Sequence, residues 1–123
     1  MQAERALRRL EGVATVRVTL REKTARVTLK TDAVFEPEKF RAAVKSASQQ
    51  VRAFELRLLA AVEQRDGQYY LRRSSVGQRF LVHAGGALTA KLGGFAGKQV
   101  RATGRLVSSS SPLELQLTEI APP

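Results

Sequence analysis

VRAFELRLLAAVE, residues 51 to 63, keeps a period-two alternation for longer than an ordinary edge strand does. Phe54, Leu56, Leu58, Ala60 and Val62 fall on one wholly apolar face, which predicts a strand laid against a core. The opposite face changes along its length: Glu55 and Arg57 require water, whereas Leu59 and Ala61 tolerate cover. The stretch therefore reads as one extended strand that closes a first small unit, residues 1–57, and opens a second, residues 58–123.

Upstream of it, Ala3, Ala6, Leu7 and Leu10 recur at helical spacing, with Glu4, Arg5, Arg8, Arg9 and Glu11 on the other side. This predicts a short amphipathic helix over residues 2 to 10, ended by Gly12. Val16, Val18 and Leu20 then alternate with Arg17, Thr19 and Arg21. After a turn at residues 22 to 24, Ala25, Val27 and Leu29 alternate with Arg26, Thr28 and Lys30, the pattern of a β-hairpin. Residues 31 to 36 form a loop leading to Pro37, which a first helical turn tolerates. Phe40, Ala43, Val44 and Ala47 make the buried stripe of a second helix that fades through Ser46, Ser48 and Gln49.

Downstream, the punctuation is that of an all-β unit. Asp66-Gly67 marks a hairpin turn. Tyr69 and Leu71 share one face of the next strand, Tyr70 and Arg72 the other; a turn at residues 74 to 78 leads to a strand with Phe80 and Val82 inward. One short helix fits residues 87 to 92, ahead of the glycine-rich GGFAGK at 93 to 98. Val100, Ala102, Gly104 and Leu106 alternate with Arg101, Thr103 and Arg105, the serines at 108 to 111 with Pro112 make a solvated turn, and Leu113, Leu115 and Leu117 begin the last strand.

The length suits one ordinary domain, or two very small ones that stabilise each other through a shared strand. Twenty-one Lys and Arg against eleven Asp and Glu give a net charge of +10 and a pI near 11.1. Both halves are basic, and the balance favours polyanionic partners, with plain solubility of an arginine-rich chain as the alternative. No stretch approaches the ~20 apolar residues that span a bilayer. The opening MQAERALRRLEG lacks the apolar segment of a secretory signal, so the chain reads as cytoplasmic by default. Without cysteine there is no disulfide, zinc-thiolate site or thiol nucleophile.

Helix, strand, strand, helix, strand is the ferredoxin-like βαββαβ order without its first strand. AERALRRLEGVATVRVTLREKTARVTL followed by FEPEKFRAAVKSA resembles the heavy-metal-associated domain of copper chaperones and metal-pumping ATPases. Glu4, Ala6, Leu7, Leu10, Gly12 and Val13 match that family's first helix, V-E-x-A-L-x-x-L-x-G-V, and Val16, Val18, Val27, Pro37 and Phe40 continue in register over residues 1 to about 58. In the family the metal ligands are a CxxC just ahead of that helix. Its second cysteine would fall just upstream of Met1, so no residue here inherits the role and the resemblance implies the fold without metal transfer. The downstream order, three strands, a helix and two strands, together with GKQVRATGRLVSSSSPLELQLTEI, resembles bacterial OB-fold domains. The expected fold class is thus α+β, a truncated ferredoxin-like unit joined through a shared long strand to a small OB-like barrel.

An absent first strand would leave two strands with unpaired backbone groups facing a gap, at about 1–3 kcal/mol per buried group. Three things would fill it: residues upstream of Met1, a strand from a protein partner or second copy, or direct pairing of the long strand with the hairpin.

Catalysis finds little support. One histidine, no cysteine, no pair of carboxylates in a recognisable motif and no G-x-S-x-G or P-loop leave none of the usual nucleophile, base or phosphate-cradle constellations; His83 reads as a surface residue, and the glycines at 85, 86, 93, 94 and 97 as turn chemistry. The expectation is a non-enzymatic binding or structural protein, without cofactor, metal or membrane contact, that acts through protein or polyanion contacts. Single-stranded nucleic acid is the sharpest alternative, read by Tyr70, Arg72, Arg73, Arg79, Arg101 and Arg105 on the OB-like barrel. A second basic surface, Arg17, Arg21, Arg26, Lys30 and Arg57, lies on the upstream sheet face away from the helices, with no aromatic among them. A metal chaperone or sensor fragment with cysteines upstream of Met1, and a strand-swapped oligomer, complete the alternatives.

Overall fold

The alternating and helical stretches become, in chain order, α1 (Gln2–Arg8), β1 (Val13–Thr19), β2 (Thr24–Leu29), α2 (Pro37–Ala47), β3 (Ala53–Arg65), β4 (Gln68–Arg73), β5 (Gln78–His83), α3 (Gly86–Gly94), β6 (Gln99–Ser108) and β7 (Leu113–Ala121). The computed structural model describes residues 2–10, 12–19, 21–30, 37–47, 51–73, 78–108 and 113–123. The expected loop at 31–36, the fading helix end at 48–50, most of the turn at 74–78 and most of the serine run at 108–112 lie outside them.

β3 is the strand that the rest shares. Its residues 53 to 57 pair in parallel with β2, from Thr24↔Ala53 to Thr28↔Arg57, and residues 61 to 65 pair antiparallel with β4. Glu55 to Ala61 pair with β6. At Glu55 to Arg57 both β2 and β6 are bonded, and at Ala61 both β4 and β6. Because a strand has only two edges, β2 and β4 must occupy one of them in succession and β6 the other. The order β3-β4-β5-β7-β6 then returns to β3, which closes a five-stranded barrel, and β2 and β1 extend the sheet outward from it. This mixed α+β architecture is compatible with an OB-like barrel.

Of the three ways of filling the expected gap, the structure shows direct pairing of the long strand with the hairpin. β2 and β3 run in the same direction. They join directly, and α2 supplies the crossover that a parallel pair requires. No slot remains between β2 and β3 for a foreign strand. The buried side chains correspondingly form one cluster, from Leu7 on α1 through Ala25, Val27, Leu56 and Leu58 to Leu115 and Ile120, instead of two separate cores.

Local chemistry fixes the connections. Asp66 and Gly67 both have positive φ, 50° and 77°, and join Arg65 to Gln68 as a two-residue turn of the twist that hairpins favour. A bulge between Val13 and Thr15 lets Val13 and Val16, three apart, both reach the core. Gly93 and Gly94, expected in the loop after the helix, form the last turn of α3, whose Leu92 is fully buried. Beyond it, Gly97 donates to the carbonyl of Val62 at 2.8 Å and the Val62 amide donates to the carbonyl of Lys98 at 3.0 Å, so the glycine-rich segment seals onto β3.

Gly104 sits where β6 passes from Leu56 to β7. A Cβ there would lie 3.2 Å from both the Gln116 carbonyl oxygen and Leu115 Cβ. Both contacts are walls of the barrel, so Gly104→Val is expected to lower unfolding free energy by about 1–3 kcal/mol, as overpacking does. Urea denaturation measures this; an unchanged midpoint would show that β7 gives way freely.

Candidate polyanion-binding face

Register decides which arginines share a surface. Arg17 opposes Arg26, Arg26 opposes Glu55 and Glu55 opposes Arg105, a row across β1, β2, β3 and β6. One step along, Thr15, Thr28, Arg57, Thr103 and Glu119 form the next row, reaching β7. A third row is Leu59, Arg101 and Ala121. Directly opposed residues project from the same face, so all three rows lie on the side away from the buried cluster. Arg101 and Arg105, expected beside Tyr70, instead join Arg17, Arg26 and Arg57. Lys30 follows β2 and Arg21 lies in the β1–β2 turn, both exposed.

The residues expected at the barrel's own face behave differently. Arg72 and Arg79 converge on one carboxylate, with Nε atoms 3.6 and 3.2 Å from Glu63, and Arg65 approaches it at 3.5 Å. Tyr70 is half-buried, its hydroxyl 3.2 Å from Gln68 Oε1. His83 is exposed, as expected, with Nε2 3.0 Å from Glu114 Oε1.

Arg73 is corrected outright as a surface candidate. It is 1% exposed, and its guanidinium donates to the carbonyl oxygen of Lys30. Alternation explains this: Arg73 follows Leu71 on the inward face of β4, at the place where β2 has ended and β4 has begun along the same edge of β3. Its role there is to tie the two sheet sections together.

Parts of the second and third rows line a groove of about 510 Å³, formed by Thr28, Arg57, Leu59, Arg101, the buried Thr103, Glu119, Ala121 and Pro123, with Leu29, Leu58 and Ala102 at its base. Among the described residues, no carboxylate lies within ion-pair distance of Arg57, Arg101 or Arg105, whereas Arg26 is paired with Glu55 at 3.0 Å. Arg17, with no such carboxylate, faces Arg26 directly, a like-charge juxtaposition that costs a few tenths to about 1 kcal/mol in a sheet.

Sequence reading missed Glu119, because strict alternation from Leu117 would turn it inward. The register slips by one residue opposite Thr103 and Gly104, so Leu117 and Ile120 both point in and Glu119 points out. Among the described residues there is no group of three or more His, Asp or Glu side chains placed to hold a metal ion, and no helix long and apolar enough to cross a membrane. Comparison with protein-family models, curated proteins and solved structures finds no match.

Proposed function

We propose that the chain is a non-enzymatic binding module for single-stranded nucleic acid, in which residues 1–57 form a heavy-metal-associated-like unit without ligands and residues 58–123 an OB-like barrel. The binding surface is the continuous outer face of β1, β2, β3 and β6. The observation that carries this reading is charge left unbalanced where there is room for a ligand: Arg57 and Arg101 line the open groove with no ion-pair partner among the described residues, and Arg105 stands beside them. The arginines of the β4–β5 face already share Glu63. Arginine forks suit phosphate oxygens, and the threonines interleaved with them, exposed Thr15 and half-buried Thr28, offer further hydrogen bonds to a backbone. An anion laid across Arg17 and Arg26 also relieves their mutual repulsion.

The test is fluorescence anisotropy with a labelled oligo(dT) of about 16 nucleotides, the upper end of single-barrel site sizes. Binding should weaken steeply with salt, and Arg57→Gln with Arg101→Gln should lower affinity about tenfold and reduce the log–log salt slope by about 1.4, two phosphate contacts' worth on a single strand. Arg72→Gln with Arg79→Gln should stay within about twofold, since those side chains are held by Glu63. Equal losses from both pairs would move the site to the barrel face. Competition by polyglutamate as effective as by oligo(dT) would replace nucleic acid with an acidic protein.

A further inference from the structure

Glu119 is out of place on a surface built only to attract phosphates. It stands two strands from Arg57, about 9.5 Å at the ordinary strand spacing, with Thr103 between them. In the adjoining row, Leu59 and Ala121 flank Arg101, both half-buried, and Pro123 completes that wall. The groove thus brings together two cations, an apolar patch and a carboxylate, with the Thr28 and Thr103 hydroxyls also on its lining. Its volume, about 510 Å³, lies within the range of small-molecule sites.

We infer that this groove seats one nucleotide of the bound strand and reads its base, with phosphate on Arg57 and Arg101, the base ring against Leu59, Ala121 and Pro123, and Glu119 accepting a hydrogen bond from an exocyclic amino group. A carboxylate accepts from the N4 amino group of cytosine. Against thymine the same carboxylate faces O4, another acceptor, so the contact is lost and two oxygen lone pairs oppose each other. The strand is therefore held along its length by charge and selected at one position by an amino group. This rests on the nucleic-acid reading above, and its test separates the two.

The experiment is anisotropy with oligo(dC) and oligo(dT) of equal length, about 16 nucleotides, on the wild-type chain and on Glu119→Gln. Wild type should bind oligo(dC) about tenfold more tightly, one good base contact. Glu119→Gln should bring the two within about twofold, chiefly by gaining on oligo(dT), because an amide donates as well as accepts. Glu119 is exposed, and an unchanged melting temperature for Glu119→Gln is the expected control. Equal, salt-dependent binding of both polymers by wild type would overturn base reading while leaving strand binding in place. A cytosine preference that survives Glu119→Gln would remove Glu119 from the role, and failure to bind either polymer would sink both proposals.

Discussion

Leu56→Ala is expected to cost about 3 kcal/mol and to unfold the helices and the barrel in a single transition. Leu56 is fully buried, opposite Val27 on β2 and Gly104 on β6, so it is the side chain at which the extended sheet and the closed barrel meet. Removing a buried leucine side chain costs about 2–5 kcal/mol, with the upper part of the range where surroundings cannot collapse into the cavity. Collapse is resisted here because β3 is hydrogen-bonded on both edges at this residue. The chain has no tryptophan, and its two tyrosines, Tyr69 and Tyr70, both lie on β4. Tyrosine fluorescence therefore reports the barrel, while helical circular dichroism draws largely on α1 and α2. Coincident urea transitions by the two probes, shifted together in Leu56→Ala, are the expected result. A fluorescence transition that stays in place while the helical signal shifts would mean that the barrel stands without the sheet extension.

The second large effect is expected at Arg73. Its side chain is enclosed where β2 gives way to β4, and its guanidinium holds the Lys30 carbonyl at the end of β2. Arg73→Ala removes a long buried stem and leaves that carbonyl without its charged donor, which together should lower stability by about 2–4 kcal/mol. Arg73→Met distinguishes the two contributions, since methionine refills the apolar volume and offers no donor. Recovery of most of the loss by methionine would assign the effect to packing; a loss as large as that of alanine would assign it to the polar contacts of the guanidinium, the Lys30 carbonyl among them. An effect below about 0.5 kcal/mol for Arg73→Ala, the level of an ordinary surface substitution, would contradict the enclosed position altogether. Because Arg73 is inside, its removal should alter nucleic-acid affinity only in proportion to lost folding.

Much of the local structure was legible without coordinates. Alternation in residues 54 to 62 assigned the inward face of β3 correctly, and Asp66-Gly67 fixed a two-residue hairpin because both residues tolerate positive φ. The amphipathic stripes gave α1 and α2, and the order of five downstream strands around α3 was readable from turn residues. Alternation could not carry through a bulge: that Val13 shares a face with Val16, and that Glu119 points outward, follow only from a register slip of one residue. Arg73 was misjudged for a different reason. Its charge suggested solvent, although the alternation through Leu71 pointed it inward, and a buried arginine is tolerable where tertiary structure supplies hydrogen-bond partners, here including the Lys30 carbonyl.

Local pattern alone determined which residues of each strand share a face, since backbone pleating turns every second side chain the same way. Which strands become neighbours was decided by tertiary structure, because edge hydrogen bonds are indifferent to the side chains that identify a strand. The direct β2–β3 pairing closed the expected gap, and it brought Arg17 and Arg26 into one surface with Arg105, more than 70 residues away in the chain. The candidate site is thus a product of register: a groove whose cations come from β3 and β6 and whose opposite wall includes Thr28 of β2, assembled only when the sheet and the barrel are joined.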